Sequence, residues 1–343
     1  MTQLSWTPPD ASSAGATLET FILEGMFKSA GATGTFTSLL NQIALAAKLI
    51  TQRVRRAGLA DVLGWTGDTN VHGEYVQKLD IIANETFINV LKRRGHCMAI
   101  ASEELDEPVF FPKASGGYLV TVDPLDGSSN IDVDVSIGTI FGIQKVEDDP
   151  VTTKSFLRPG KELAAAGYVI YGSSTVLVLS TGQGVHGFTW DPGAGEFFLS
   201  HENIRCPEKG NLYSVNEGNT NRWTPGVRRW NEFIKTKDDA DGRPYSMRYV
   251  GSLVADAHRT LLKGGIFAYP ADTKNPSGKL RLLYEANPIA FIFEAAGGAA
   301  TTGETRILDC VPGELHAKVP LIVGSKTDVA TFKRFLAEDH ATP

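Results

Sequence analysis

Apolar residues recur three and four apart from Leu39 through Leu40, Ile43, Ala46, Ala47 and Ile50 to Val54, which is the spacing of one helix face. Thr37 or Ser38 stands where a cap belongs, and Gly58 stops this helix just after Arg56. The same period returns in Val76, Leu79, Ala83, Phe87 and Val90/Leu91, predicting a second helix from about Glu74 to Arg94. Lys92–Arg94 suit its negative C-terminal end, and Gly95 closes it. The pattern then shortens. Met98–Ser102, Tyr118–Val122, Thr139–Val146, Tyr168–Tyr171, Thr175–Leu179 and Phe197–Ser200 are strand-like runs. Further on, Leu253–Lys263 reads as a helix closed by Gly264-Gly265, and Ile266–Tyr269 as a strand. Asn287-Pro288 reads as the N-cap and first residue of a helix ending at Gly297-Gly298, and a last helix spans about Thr327–Glu338.

Two helices, then strands, then alternating helices and strands imply layered sheets and helices, an α+β to α/β architecture. A length of 343 residues suggests about two domains. The polar segment His201–Gly210 is the natural boundary. It separates a loose arm over 1–16 and an α+β domain over 17–203 from an α/β domain over 204–343. Leu163–Val185 carries no charge, yet a Gly-Ser-Ser turn divides it, so it predicts two buried strands rather than a membrane helix. The first twenty residues contain no apolar run of the kind a secretion signal needs.

Composition narrows the function. The net charge of −6 argues against non-specific binding to nucleic acid or an anionic membrane, so an anionic substrate would need local cations or metal. Cys97, Cys206 and Cys310 are odd in number and far apart, which suits structural thiols in a reducing compartment.

The most informative segment is Asp123-Pro124-Leu125-Asp126-Gly127-Ser128-Ser129-Asn130, directly after a strand. Two acids three apart at the end of a buried strand are costly without a cation. Pro124 holds Asp123 extended, and Gly127 permits a sharp turn. The N–H groups of Ser128 and Ser129 can cradle an anion. Carboxylates beside such a cradle suit a hard divalent cation together with a phosphate. No GxxxxGK[ST] loop or GxGxxG fingerprint occurs. Glu103-Glu104 end another strand and can face a metal and a water. Alone, each of these acids reads more plainly: Glu103-Glu104 as an acidic turn, Asp80 as a helix-surface acid, Glu285 as a helix-end charge.

Together these segments resemble class I fructose-1,6-bisphosphatase, within the metal-dependent, lithium-sensitive sugar and inositol phosphatases. The resemblance rests on Glu103-Glu104 and DPLDGSS. It also rests on Gly67–Asn84, Val122–Ile143, Val215–Asn219, Met247–Pro270 and Gly278–Pro288, and covers roughly residues 20–335. It implies the layered αβαβα sugar phosphatase fold. It implies Glu103, Asp123, Asp126, Glu285 and the Leu125 carbonyl as ligands for two or three Mg²⁺ ions, with Mn²⁺ as an alternative. Asp80 and Glu104 would hold and deprotonate the attacking water. Asp126, Gly127, Ser128, Ser129 and Arg281 would serve the 1-phosphate. Asn216, Tyr249, Tyr269 and Lys279 would bind the sugar and its 6-phosphate. Arg248 would reach the 6-phosphate of a neighbouring subunit, implying a homotetramer built from dimers, and the cysteine usage is in keeping with a cytoplasmic location.

Three departures qualify the resemblance. The family's animal members bind the inhibitor AMP at the N-terminal helix. Thr33, Gly34, Thr37 and Tyr118 keep part of that pattern, but Thr35, Gly117 and Lys145 replace a Glu, a Lys and an Arg. Weak or absent AMP inhibition is expected. Asn219 replaces a phosphate-binding Tyr, which keeps sedoheptulose 1,7-bisphosphate open as an alternative or second substrate. Glu147–Glu162 lacks the cysteines of a chloroplast-type redox switch. A non-catalytic sugar-phosphate-binding protein is the remote alternative, opposed by the presence of all six acids.

Overall fold

The computed structural model describes residues 15–27, 34–57, 59, 64–69, 75–114 and 116–341. Most of the expected arm, and Thr33, lie outside these. An unpredicted helix, α1 (Leu18–Phe27), comes first; the two helical stripes then form α2 (Gly34–Val54) and α3 (Lys78–Lys92), with a small ribbon, β1 (Trp65–Thr69) and β2 (Tyr75–Gln77), between them. Next come β3 (Cys97–Ser102), β4 (Val109–Phe110), β5 (Tyr118–Asp126), β6 (Ile137–Lys145), β7 (Leu163–Tyr171), β8 (Thr175–Ser180), β9 (Val185–Asp191) and β10 (Glu196–His201). They build one sheet in the order β10-β9-β8-β7-β6-β5-β3-β4. Within this sheet, among the described residues, only β3 and β5 pair in parallel.

The remaining chain adds β11 (Leu212–Ser214), α4 (Pro225–Lys235), β12 (Ser246–Met247), α5 (Leu253–Lys263), β13 (Ile266–Tyr269) and β14 (Leu280–Arg281). It ends with α6 (Asn287–Ala295), β15 (Ala299–Thr301), β16 (Lys318–Val319), β17 (Leu321–Gly324) and α7 (Lys326–Ala341). Its sheet runs β12-β11-β13-β17-β15.

Strand alternation explains the stacking, because successive side chains enter opposite faces. Phe141, Ile143 and Val169 point into a core shared with α2 and α3. Ile140, Tyr168 and Val178 point into a second core with α5, α6 and the second sheet. A third core places the far face of that sheet against α4 and α7, where Trp230 meets Phe332. The layers are therefore helix, sheet, helix, sheet, helix, as expected. The charge-free stretch became β7 and β8, and among the described residues no helix is long and apolar enough to cross a membrane.

Several expected boundaries moved. α2 starts at Gly34, so Thr37 and Ser38 are its fourth and fifth residues and are not caps. α3 starts only at Lys78, because Asp80 accepts a hydrogen bond from Gln77 N at 2.9 Å and thereby caps the helix there. Asn287 is not an N-cap. The chain already winds through a wide helical turn over Leu282–Ala286, and Asn287 continues it with φ −62° and ψ −51°. β5 runs on to Asp126, past the expected end at Val122. β9 was not anticipated at all.

Candidate active site

The end of β5 makes the site. Asp123 pairs with Ile140 and Asp126 with Gly138, so Pro124 and Leu125 together oppose Thr139. This is a β-bulge. In a regular strand, residues three apart face opposite sides; the extra residue turns Asp123 and Asp126 to the same side. Each offers a carboxylate oxygen within 4.8 Å of the other and of one from Glu285, and all three residues are buried. Leu125 N donates to Asp123 Oδ1 at 3.0 Å. Asp126 Oδ2 accepts from Val254 N at 2.8 Å and from the Ser252 hydroxyl at 3.2 Å, at the start of α5. Glu285 comes from the wide turn and accepts from Arg281 N. Glu103 follows β3, and its carboxylate lies 3.4 Å from the Arg281 guanidinium.

These acids crowd one another. Burial, then the charges of Glu103, Asp126, Glu285 and Glu104, hold Asp123 well above the usual carboxylate range. Burial, reinforced by Glu103, does the same to Glu285, against the Arg281 N–H. Burial pushes Asp126 up to about 6, although the Val254 and Ser252 donors pull it down. A buried cluster of hard oxygens with excess negative charge fits a divalent cation.

The cluster opens into a cleft of about 490 Å³ that also exposes Asp80, Glu104, Leu125, Gly127, Ser128, Ser129, Tyr249, Tyr269, Lys279 and Arg281. Gly127 adopts φ +78°, a left-handed turn that a side chain would strain and that would bring a Cβ to 3.2 Å from Ser252. It releases the chain into the short 3₁₀ turn Ser128–Val133. Asp80 is buried in the first turn of α3. Burial, with Tyr269 and Asp256 nearby, pushes the Tyr249 phenol up to about 12, and Asn216 hydrogen-bonds it. Of the expected residues, Asn216 and Arg248 are outside the cleft lining. Arg248 is exposed, with its guanidinium on Met247 O at 2.7 Å.

Sequence reasoning missed Asp256, Gln77, Gly251 and Ser252, which also line the cleft. Asp256 is fully buried and accepts from Val250 N and Gly251 N, each at 3.0 Å, and from Arg259 Nη2 at 2.6 Å. Arg259 also bonds Arg248 O. In sequence, Asp256 and Arg259 look like an ordinary helical ion pair three apart, and nothing signals that the preceding loop folds over them. At the other end of the N-terminal helices, Gly34 opens α2, and Phe36 packs against Tyr118 with ring centroids 5.5 Å apart. Tyr118 pairs with Lys145 across β5 and β6, and Gly117 is exposed beside them. All three cysteines are free thiols; burial drives Cys97 up to about 12.

Residues 16–202 match the family "Fructose-1-6-bisphosphatase, N-terminal domain" and residues 206–337 its C-terminal counterpart. The chain is 65% identical to fructose-1,6-bisphosphatase class 1 of Sorangium cellulosum over 97% of each chain. The chain belongs to the class 1 fructose-1,6-bisphosphatases. Within that family it is also 54% identical to the Chlorobium phaeobacteroides protein, over 93% of this chain and 97% of that one. The fold agrees with the holo crystal structure of Leishmania major fructose-1,6-bisphosphatase, with a TM-score of 0.89 and 40% identity over 94% of this chain and 99% of that one. Metal dependence, general for the family, accords with the carboxylate cluster.

Proposed function

We propose that this chain hydrolyses the 1-phosphate of fructose 1,6-bisphosphate, giving fructose 6-phosphate and inorganic phosphate. The observation that carries the reading is the buried triad Asp123, Asp126 and Glu285, lining one cleft together with Lys279 and Arg281. Glu103, Asp123, Asp126, Glu285 and the Leu125 carbonyl would hold two or three Mg²⁺ ions, or Mn²⁺. Bound there, the cations offset phosphoryl charge and acidify water. Asp80 and Glu104 orient the attacking water and take its proton. The new P–O bond forms as the bond from phosphorus to the sugar O1 breaks, and O1 ends protonated. Ser128 and Ser129 N–H groups and Arg281 hold the phosphate, with Gly127 shaping the turn. Tyr249, Tyr269, Lys279 and Asn216 hold the sugar and its distal phosphate.

The exposed position of Arg248, outside its own cleft lining, supports a homotetramer in which it reaches a neighbour's site. The low count of widely spaced cysteines, all free, supports a cytoplasmic setting. Thr35, Gly117 and Lys145 support weak or absent AMP inhibition.

Phosphate release with Mg²⁺ tests the reading. Fructose 1,6-bisphosphate should be turned over with a higher kcat/KM than sedoheptulose 1,7-bisphosphate, and Asp126→Ala should abolish it. Comparable rates would make this a dual bisphosphatase with a relaxed distal pocket around Asn219. No turnover of either substrate overturns the proposal.

A further inference from the structure

The bulge that unites Asp123 and Asp126 leaves the Pro124 carbonyl facing β6. Thr139, the residue opposite, gives its hydroxyl hydrogen to Pro124 O at 2.7 Å. Thr139 Oγ1 also lies 2.8 Å from the Tyr171 hydroxyl, on the next strand. A threonine hydroxyl has one hydrogen to give, so Tyr171 is the donor to Thr139. The result is a directed chain from β7 through β6 to the bulge: Tyr171 O–H to Thr139 Oγ1, Thr139 O–H to Pro124 O. All three residues are buried, Thr139 completely. Burial raises the Tyr171 phenol above its ordinary value, so it stays protonated as the chain requires.

We infer that Thr139 and Tyr171 are positioning residues for the metal centre. Among the described residues, neither hydrogen-bonds a carboxylate of the cluster. They fix the carbonyl between Asp123 and Asp126, and so hold the two-against-one register that puts both acids on one side. Supporting partners of this kind typically alter metal affinity when removed. The inference rests on the metal-dependent reading of the site, yet its test needs no turnover.

Mn²⁺ binding is measured by calorimetry on the full chain, with Thr139→Val, Thr139→Ser and Tyr171→Phe beside wild type. We expect the Mn²⁺ dissociation constant to rise about tenfold in T139V and about threefold in Y171F, while T139S, which keeps the hydroxyl, stays within about twofold. If T139V does not fold, Y171F decides, because it retains the Thr139–Pro124 bond. Wild-type affinity in Y171F and any folded T139V, with only a lowered Tm, would make both residues merely structural and overturn the inference. Absence of Mn²⁺ binding by wild type would overturn it too. A wild type that binds Mn²⁺, is weakened by T139V and hydrolyses no sugar bisphosphate sinks the proposed activity and upholds the positioning role.

Discussion

The two walls of the cleft are built in opposite ways. On one, Asp123, Asp126 and Glu285 are 3%, 8% and 6% exposed and held by strand, bulge and wide turn. On the other, Lys279 is exposed, and Tyr249 stands on a loop tied down by Asp256. The acids are fixed before anything binds and repel one another until a cation arrives. Lys279 is solvated, so its charge contributes less and is tuned more easily, while Tyr249 and Tyr269 are half-buried. Arg281 bridges the two: it is 2% exposed, close to Glu103, and still faces the cleft. The proposed function would place chemistry on the rigid wall and recognition on the adaptable one.

The sharpest test of that contrast is Asp123→Asn. We expect kcat to fall on the order of 10³-fold, as lost charge stabilisation requires. The metal-free variant should melt higher than wild type at pH 8, since one repelling charge is gone. A variant that keeps its activity would break the comparison. Asp256→Asn acts on the other wall. We expect KM to rise about tenfold with kcat within about twofold, because the Val250 and Gly251 N–H groups lose part of their acceptor. An equal fall in kcat would mean that the loop serves the chemical step.

A third expectation concerns pH. Asp126 stands at about 6 in the folded chain against an ordinary 3.8. A raised carboxylate stabilises the metal-free fold below about 4, and that contribution is lost as pH rises through 6. Metal-free Tm should therefore decline over this window, and added Mg²⁺ should raise Tm by more at pH 8 than at pH 5. An equal shift at both pH values would place the cation elsewhere. The smallest expected effect is none: AMP at about 100 μM should leave phosphate release unchanged, given the missing charge-assisted donors. Inhibition there would show that Gly34–Thr37 and Tyr118 suffice.

Much of the rigid wall was legible in the sequence. Glu103-Glu104 and the Asp123–Asn130 run are local, and the strands before them are apolar enough to read. What brings the acids together was not legible. A bulge is a matter of register with Thr139, and register is set by pairing across strands. Asp256 was missed for the same reason: its partners Val250 and Gly251 reach it only after the chain reverses. Asn287-Pro288 misled because the cap rule assumes a helix that begins there, whereas the wide turn had already begun at Leu282.

Asp126 Oδ2 receives Val254 N, the second residue of a helix that begins more than a hundred positions later. Glu285 arrives from further still. If the polypeptide were severed in the polar stretch between His201 and Leu212, neither fragment would own the centre. The first would carry two acids without their helix terminus or their third companion; the second would carry the reverse. Such fragments should complement one another only by reassembling, so any inheritance that reshuffles these halves must transmit them as a matched pair.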